Sequence, residues 1–221
     1  YLQGTEAYLS KADKKQFKAM DVDQQIGVTN ALTYLTSLIN VTFAKADNTH
    51  KADIAFGMND QTSSAGYAKY PLSNNGGASV VMLDRKDAQN IATNTGAELQ
   101  DTSTYAWYTL IHEVGHAMGL KHPGPYNAGG GSTPGPYLPK PLDNRITTVM
   151  SYNDAAGSQK VNVTATPSGY SYSARGVSPS TYQVLDIAAL QYLYGANTSA
   201  SAADISLSDT TTQYQTVWAP N

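Results

Sequence analysis

The sequence predicts an α+β fold, a mixed sheet with helices, and three observations predict it. A helical apolar period opens the chain, short apolar runs of strand length follow between residues 41 and 85, and two more helical patterns lie beyond residue 100. The first helical pattern runs from Val22 to Asn40 and sets Val28, Ala31, Leu32, Leu35, Leu38 and Ile39 on one face, with Gly27 as its weakest position. Strands are expected at Val41-Thr42-Phe43, Ala52 to Met58, Tyr67 to Tyr70 before Pro71, and Ser79 to Arg85. The second helix is expected from the cap cluster Asp101-Thr102-Ser103 to Leu120.

Residues 123–141 hold six of the ten prolines and read as an irregular loop. A third helix is framed by Ser178 as N-cap, Pro179 at the first helical position and Gly195 past the last turn. Val184, Ile187, Ala188, Leu190 and Leu193 form its apolar face. Thr211 to Trp218 reads as a closing strand.

Composition narrows the function. Charged residues are only 14% of the 221 and the net charge is -3, so no basic stripe is available for phosphates and nucleic acid is not expected as a partner. With no cysteine, disulfides, thiolate metal sites and cysteine nucleophiles are excluded. No apolar run is long enough to span a membrane, and the start at Tyr1 shows no signal-peptide core.

The chemistry sits in His112-Glu113-Val114-Gly115-His116-Ala117-Met118-Gly119-Leu120-Lys121-His122. Residues four apart share a helix face, so His112 and His116 can offer two imidazole nitrogens to one ion. Glu113 flanks that face without belonging to it, where it can act on a water beside the metal. Gly119 permits a sharp exit from the helix, and the returning chain brings His122 as a third ligand. A histidine pair four apart is commonly two satisfied polar side chains. Here three of the four histidines fall in one 11-residue window with the acid and the glycine in place. Three protein ligands and an open position describe catalytic zinc.

This pattern is that of the metzincin zinc endopeptidases, and its surroundings resemble the serralysin branch, secreted bacterial metalloproteases. Pro123 after the third histidine, the segment Gly124 to Gly129, the turn Val149-Met150-Ser151-Tyr152 and the stretch Asp186 to Asn197 carry the likeness. The resemblance is sharp over 105–152 and 179–197 and diffuse over 1–100. It implies a two-lobed catalytic domain split by an active-site cleft, with Met150 as an apolar floor under the zinc. It also implies that Tyr152 coordinates zinc at rest and swings to the oxyanion, and that Asp186 hydrogen-bonds near the turn. A substrate strand would pair with the sheet edge at Tyr67, Ala68 and Lys69. The sequence departs from the family at Leu185, where an acid is common, and in lacking glycine- and aspartate-rich calcium repeats, so calcium is not implied by this chain.

The reading is one catalytic domain over 1–221, with an N-terminal lobe to residue 122 that carries the active-site helix and a C-terminal lobe from 123. It is a zinc-dependent endopeptidase acting on protein or peptide substrates, secreted and bacterial, and monomeric, with a proteinaceous inhibitor as a possible further partner. Two competing readings remain: a zinc-retaining module without catalysis, and a matrixin-like metzincin outside the serralysin branch.

Overall fold

Asp21 opens the first helix, α1 (Val22–Leu38): its carboxylate accepts from Gln24 N at 2.9 Å, and the Gln24 side chain returns a bond to Asp21 N. The computed structural model describes residues 1–47, 52–71, 77–86, 94–128, 130–199 and 213–219. Gln24, Gly27, Val28, Ala31, Leu35 and Leu38 form the buried face of α1. Gly27 has a packing role, since a Cβ there would stand 2.7 Å from the Leu99 Cβ of a neighbouring short helix.

Three strands follow, β1 (Ile54–Asn59), β2 (Gly66–Ala68) and β3 (Ser79–Asp84). They form a mixed sheet in the order β1-β3-β2, with β1 parallel and β2 antiparallel to β3. All six residues of β3 are buried, as expected of a central strand covered on both faces. Phe56, Met58, Val81 and Leu83 face the main core. Ala55, Val80 and Met82 face a smaller cluster closed by Leu2 and Leu9 from the N-terminal segment. The strand expected at Val41-Thr42-Phe43 does not form. Val41 and Phe43 pack on the core through their side chains, while residues 41–46 find no ladder partner among the described residues.

The short helix α2 (Gly96–Gln100), capped by Thr95, was not foreseen. It leads into α3 (Tyr105–Ala117), whose N-cap is Thr104 and not the preceding Asp101-Thr102-Ser103 cluster; its hydroxyl accepts from Trp107 N at 3.1 Å. Residues 106–117 of α3 are all buried, so this helix runs through the centre of the molecule. It ends at Ala117 instead of Leu120, because Gly119 turns with φ +97.

Beyond the loop, a hairpin not foreseen above joins β4 (Gln159–Thr166) and β5 (Gly169–Gly176). Every residue of both strands is exposed except the half-buried Gly176. The last helix, α4 (Val184–Tyr194), starts five residues later than the Ser178-Pro179 signal suggests. Pro179 forms a parallel bridge with Tyr214, and Ser180 N donates to Tyr214 O at 3.0 Å, which commits that backbone to the C-terminal segment. The buried face of α4 is Asp186, Ile187 and Leu190, whereas Val184 and Leu193 are exposed. Of the closing strand expected over 211–218, residues 211 and 212 lie outside the described residues and the rest makes this one bridge. Among the described residues, no helix is long and apolar enough to cross a membrane.

Candidate active site

Helix α3 carries His112 and His116 one turn apart, and the turn at Gly119 brings His122 back to meet them. Each imidazole is held by a backbone carbonyl: His112 Nδ1 by Val149 O at 2.8 Å, His116 Nδ1 by Leu120 O at 2.8 Å, and His122 Nδ1 by Tyr126 O at 3.0 Å. A carbonyl can only accept, so each Nδ1 carries the proton and each Nε2 presents a bare lone pair. Those Nε2 atoms converge, His122 lying 3.2 Å from His112 and 3.0 Å from His116.

Three acceptors pointed at one another repel unless a cation sits among them. Tetrahedral zinc with Zn–N bonds near 2.1 Å would separate its nitrogens by about 3.4 Å, close to what is found. The three-histidine group therefore fits one zinc ion. Burial, reinforced for His112 and His116 by neighbouring imidazoles, lowers all three pKa values, that of His112 well below the ordinary range and that of His116 to about 4. The rings are thus held neutral, as ligands must be.

The turn 148–151 packs against α3. Met150 is buried beneath α3, where a Cβ on Gly115 would stand 2.9 Å from its Sδ. Glycine in a helix interior costs about 1 kcal/mol relative to alanine, and here it admits the methionine. Asp186 is 2% exposed and accepts from Thr148 Oγ1 at 2.6 Å, Val149 N at 2.7 Å and Gln183 N at 2.8 Å. Burial nonetheless raises its pKa to about 6. On the opposite side, Asp143 accepts from Tyr126 Oη at 2.5 Å and Ser151 Oγ at 2.6 Å, tying the loop that holds His122 to the turn that holds Met150.

Glu113 is buried beside the histidines, and its Oε2 has no partner among the described residues. Burial pushes its carboxyl up to about 8. Tyr152 is 37% exposed, with its ring 4.6 Å from that of His122 and 5.9 Å from that of His112; burial of its hydroxyl raises the phenol pKa. A 270 Å³ cavity opens beside Glu113, walled by Gly66, Tyr105, Tyr108, Thr109, Arg145 and Tyr152.

Strand β2 lies at the sheet edge against this centre, with Gly66 facing the Glu113 side chain. The side chains of Tyr67 and Lys69 are turned elsewhere, both onto Asp13 at 2.8 and 2.5 Å. Ala65 O and Lys69 N bond to β3, so by the alternation of an antiparallel ladder the peptide groups of Gly66 and Ala68 face outward. The sequence reading missed Gly115, Tyr126, Asp143 and Arg145. Only Asp143 and Arg145, two of the few charges in a charge-poor loop, left a signal to follow.

Helix, returning histidine and methionine turn together define a metallopeptidase centre. Residues 7–165 match the family model for Metallo-peptidase family M12 (Reprolysin_5), and the chain belongs to that family. It is 41% identical over 117 residues to the serralysin of Proteus mirabilis, covering 51% of this chain and 20% of that protein. It is 29% identical over 194 residues to Metallopeptidase AprA of Pseudomonas marginalis (85% and 37%) and 37% identical over 107 residues to Serralysin C of Dickeya chrysanthemi (47% and 19%). The chain thus spans less than two fifths of the length of these relatives.

Proposed function

We propose that this chain is the catalytic unit of a serralysin-type zinc endopeptidase that hydrolyses internal peptide bonds of protein substrates. The observation that carries the reading is the convergence of three bare Nε2 atoms next to the buried carboxylate of Glu113, whose Oε2 has no partner among the described residues. His112, His116 and His122 would hold zinc, which would supply Lewis acidity to the scissile carbonyl and to the attacking water. Glu113 takes the proton from that water and returns it to the leaving amine. The Tyr152 hydroxyl donates to the oxyanion, and Met150 and Asp186 hold the histidines in place from below. The substrate backbone pairs with the outward peptide groups of Gly66 and Ala68, antiparallel, which is the more stable ladder per residue.

On this reading residues 1–122 and 123–221 form the two sides of one monomeric unit with the substrate between them. The serralysin relatives support secretion from a bacterium, and a proteinaceous inhibitor would compete for the same edge. A zinc-holding module without catalysis has no use for a buried acid at position 113. The serralysin relatives favour that branch over a matrixin-like one.

Casein digestion with and without a chelator, followed by zinc restoration, tests the reading, alongside Glu113→Ala. The variant is expected to bind zinc and leave casein intact. Chelator-resistant digestion, or an active Glu113→Ala protein, would overturn it.

A further inference from the structure

We infer that the cavity beside Glu113 receives the substrate residue that follows the scissile bond, and that Arg145 makes it select a side chain ending in a carboxylate. The inference rests on the endopeptidase reading above and adds the substrate chemistry.

Direction comes from the strand edge. Along β2 the chain passes from Ser64 and Gly66, on the cavity wall, to Tyr70, whose ring lies 5.5 Å from that of His116. A substrate strand antiparallel to β2 enters on the Tyr70 side and leaves on the Ser64 side. The residue on the C-terminal side of the cut therefore falls over the cavity.

Chemistry comes from the wall. Tyr105, Tyr108 and Tyr152 offer ring surface to an aliphatic stem, and Arg145 is the one cationic residue among the described lining residues. Its guanidinium lies over the Tyr108 ring at 5.5 Å, and its side chain is 15% exposed. Asp154 accepts from Nη1 at 2.6 Å. The Nε of Arg145 is buried and has no hydrogen-bond partner among the described residues. A guanidinium carries five N–H donors and stays charged, so one carboxylate leaves it able to bind a second. A substrate carboxylate reaching this fork gains charge-assisted hydrogen bonds in a partly desolvated site, whereas a lysine would meet like charge. Glu113, the acid on the same wall, belongs to the reacting centre.

The test is to digest a random peptide mixture with the zinc-loaded protein and read the cleaved bonds by mass spectrometry. Glu and Asp are expected to be enriched roughly tenfold over Leu directly after the cut, with Lys depleted. Arg145→Met should bring Glu and Leu to parity, and Asp154→Asn, which removes the competing carboxylate, should raise the preference for Glu. The opposite response of the two variants separates a selecting role from a structural one. Variants that lose activity uniformly with an unchanged profile would overturn the inference, as would a carboxylate preference on the residue before the cut. Cleavage without any acidic preference sinks the subsite alone. A wild-type protein that binds zinc and cuts nothing sinks the endopeptidase reading with it.

Discussion

Asp186 reaches His112 through a single residue: its carboxylate takes Val149 N at 2.7 Å, and the carbonyl of Val149 takes the Nδ1 proton of His112 at 2.8 Å. The helix that carries Asp186 thus orients a metal ligand two elements away. Second partners of this kind fix ring tautomer and aim, and their loss typically costs 10–100-fold in metal affinity. Asp186→Ala leaves Thr148 Oγ1 and two backbone N–H groups buried without an acceptor. Stability is expected to fall by about 3 kcal/mol or more, and zinc affinity by roughly tenfold or more. Urea unfolding and competition with a zinc chelator measure the two effects. An unchanged affinity in a folded variant would detach Asp186 from the site.

The centre was legible because its ligands are local. His112, Glu113, His116, Gly119 and His122 lie in one stretch whose spacing is set by helix geometry, and the methionine turn is a four-residue signature. What holds them was not legible. Val149, Leu120 and Tyr126 act through backbone carbonyls, which leave no trace in residue identity. Gly115 makes sense only once Met150 is known to lie beneath it. The third helix was misplaced at its start because the Ser178-Pro179 signal is local, whereas the partner that overrides it, Tyr214, is 35 residues further on. The β4–β5 hairpin did carry a signal, the alternation of Val161, Val163, Tyr170 and Tyr172 about Pro167-Ser168-Gly169, but its strands cover no core.

Tyr152 stands over His122 and His112 without being buried among them. If its hydroxyl serves the oxyanion, it matters more in the transition state than in substrate binding. Tyr152→Phe is expected to lower kcat by roughly a hundredfold or more with little change in KM. Steady-state kinetics on a quenched fluorescent peptide check this, and an unchanged kcat would leave the metal as the sole electrophile.

The hairpin can be removed. Tyr170 and Tyr172 are 81% and 79% exposed, and among the described residues the two strands pair only with each other. Excising Ser158–Arg175 and joining Gly157 to Gly176 should change Tm by no more than about 4 °C. A larger loss on thermal unfolding would mean that the hairpin supports the lobe below it.

Asp13 gives the fold an acid-sensitive tie to the sheet edge at Tyr67 and Lys69. Its side chain is 1% exposed, yet it accepts from Lys69 Nζ at 2.5 Å, Tyr67 Oη at 2.8 Å and Ser10 N at 2.7 Å. Burial alone would raise its pKa, but the Lys69 ammonium and the other donors outweigh it and hold the carboxyl below its ordinary value. A carboxylate whose folded pKa is depressed adds stability above its unfolded pKa of about 3.9, and that stability drains away as the pH falls through the lower folded value. Asp13→Asn breaks the ion pair and leaves Lys69 without its partner, so the variant should be about 2 kcal/mol less stable at pH 7. The gap should hold at pH 5 and narrow from pH 4 downward, as protonation strips the wild type of the same charge. Urea unfolding of both proteins at pH 7, 5 and 3 measures it. A gap that stayed constant to pH 3 would mean that the contribution of Asp13 is hydrogen bonding that does not depend on its charge.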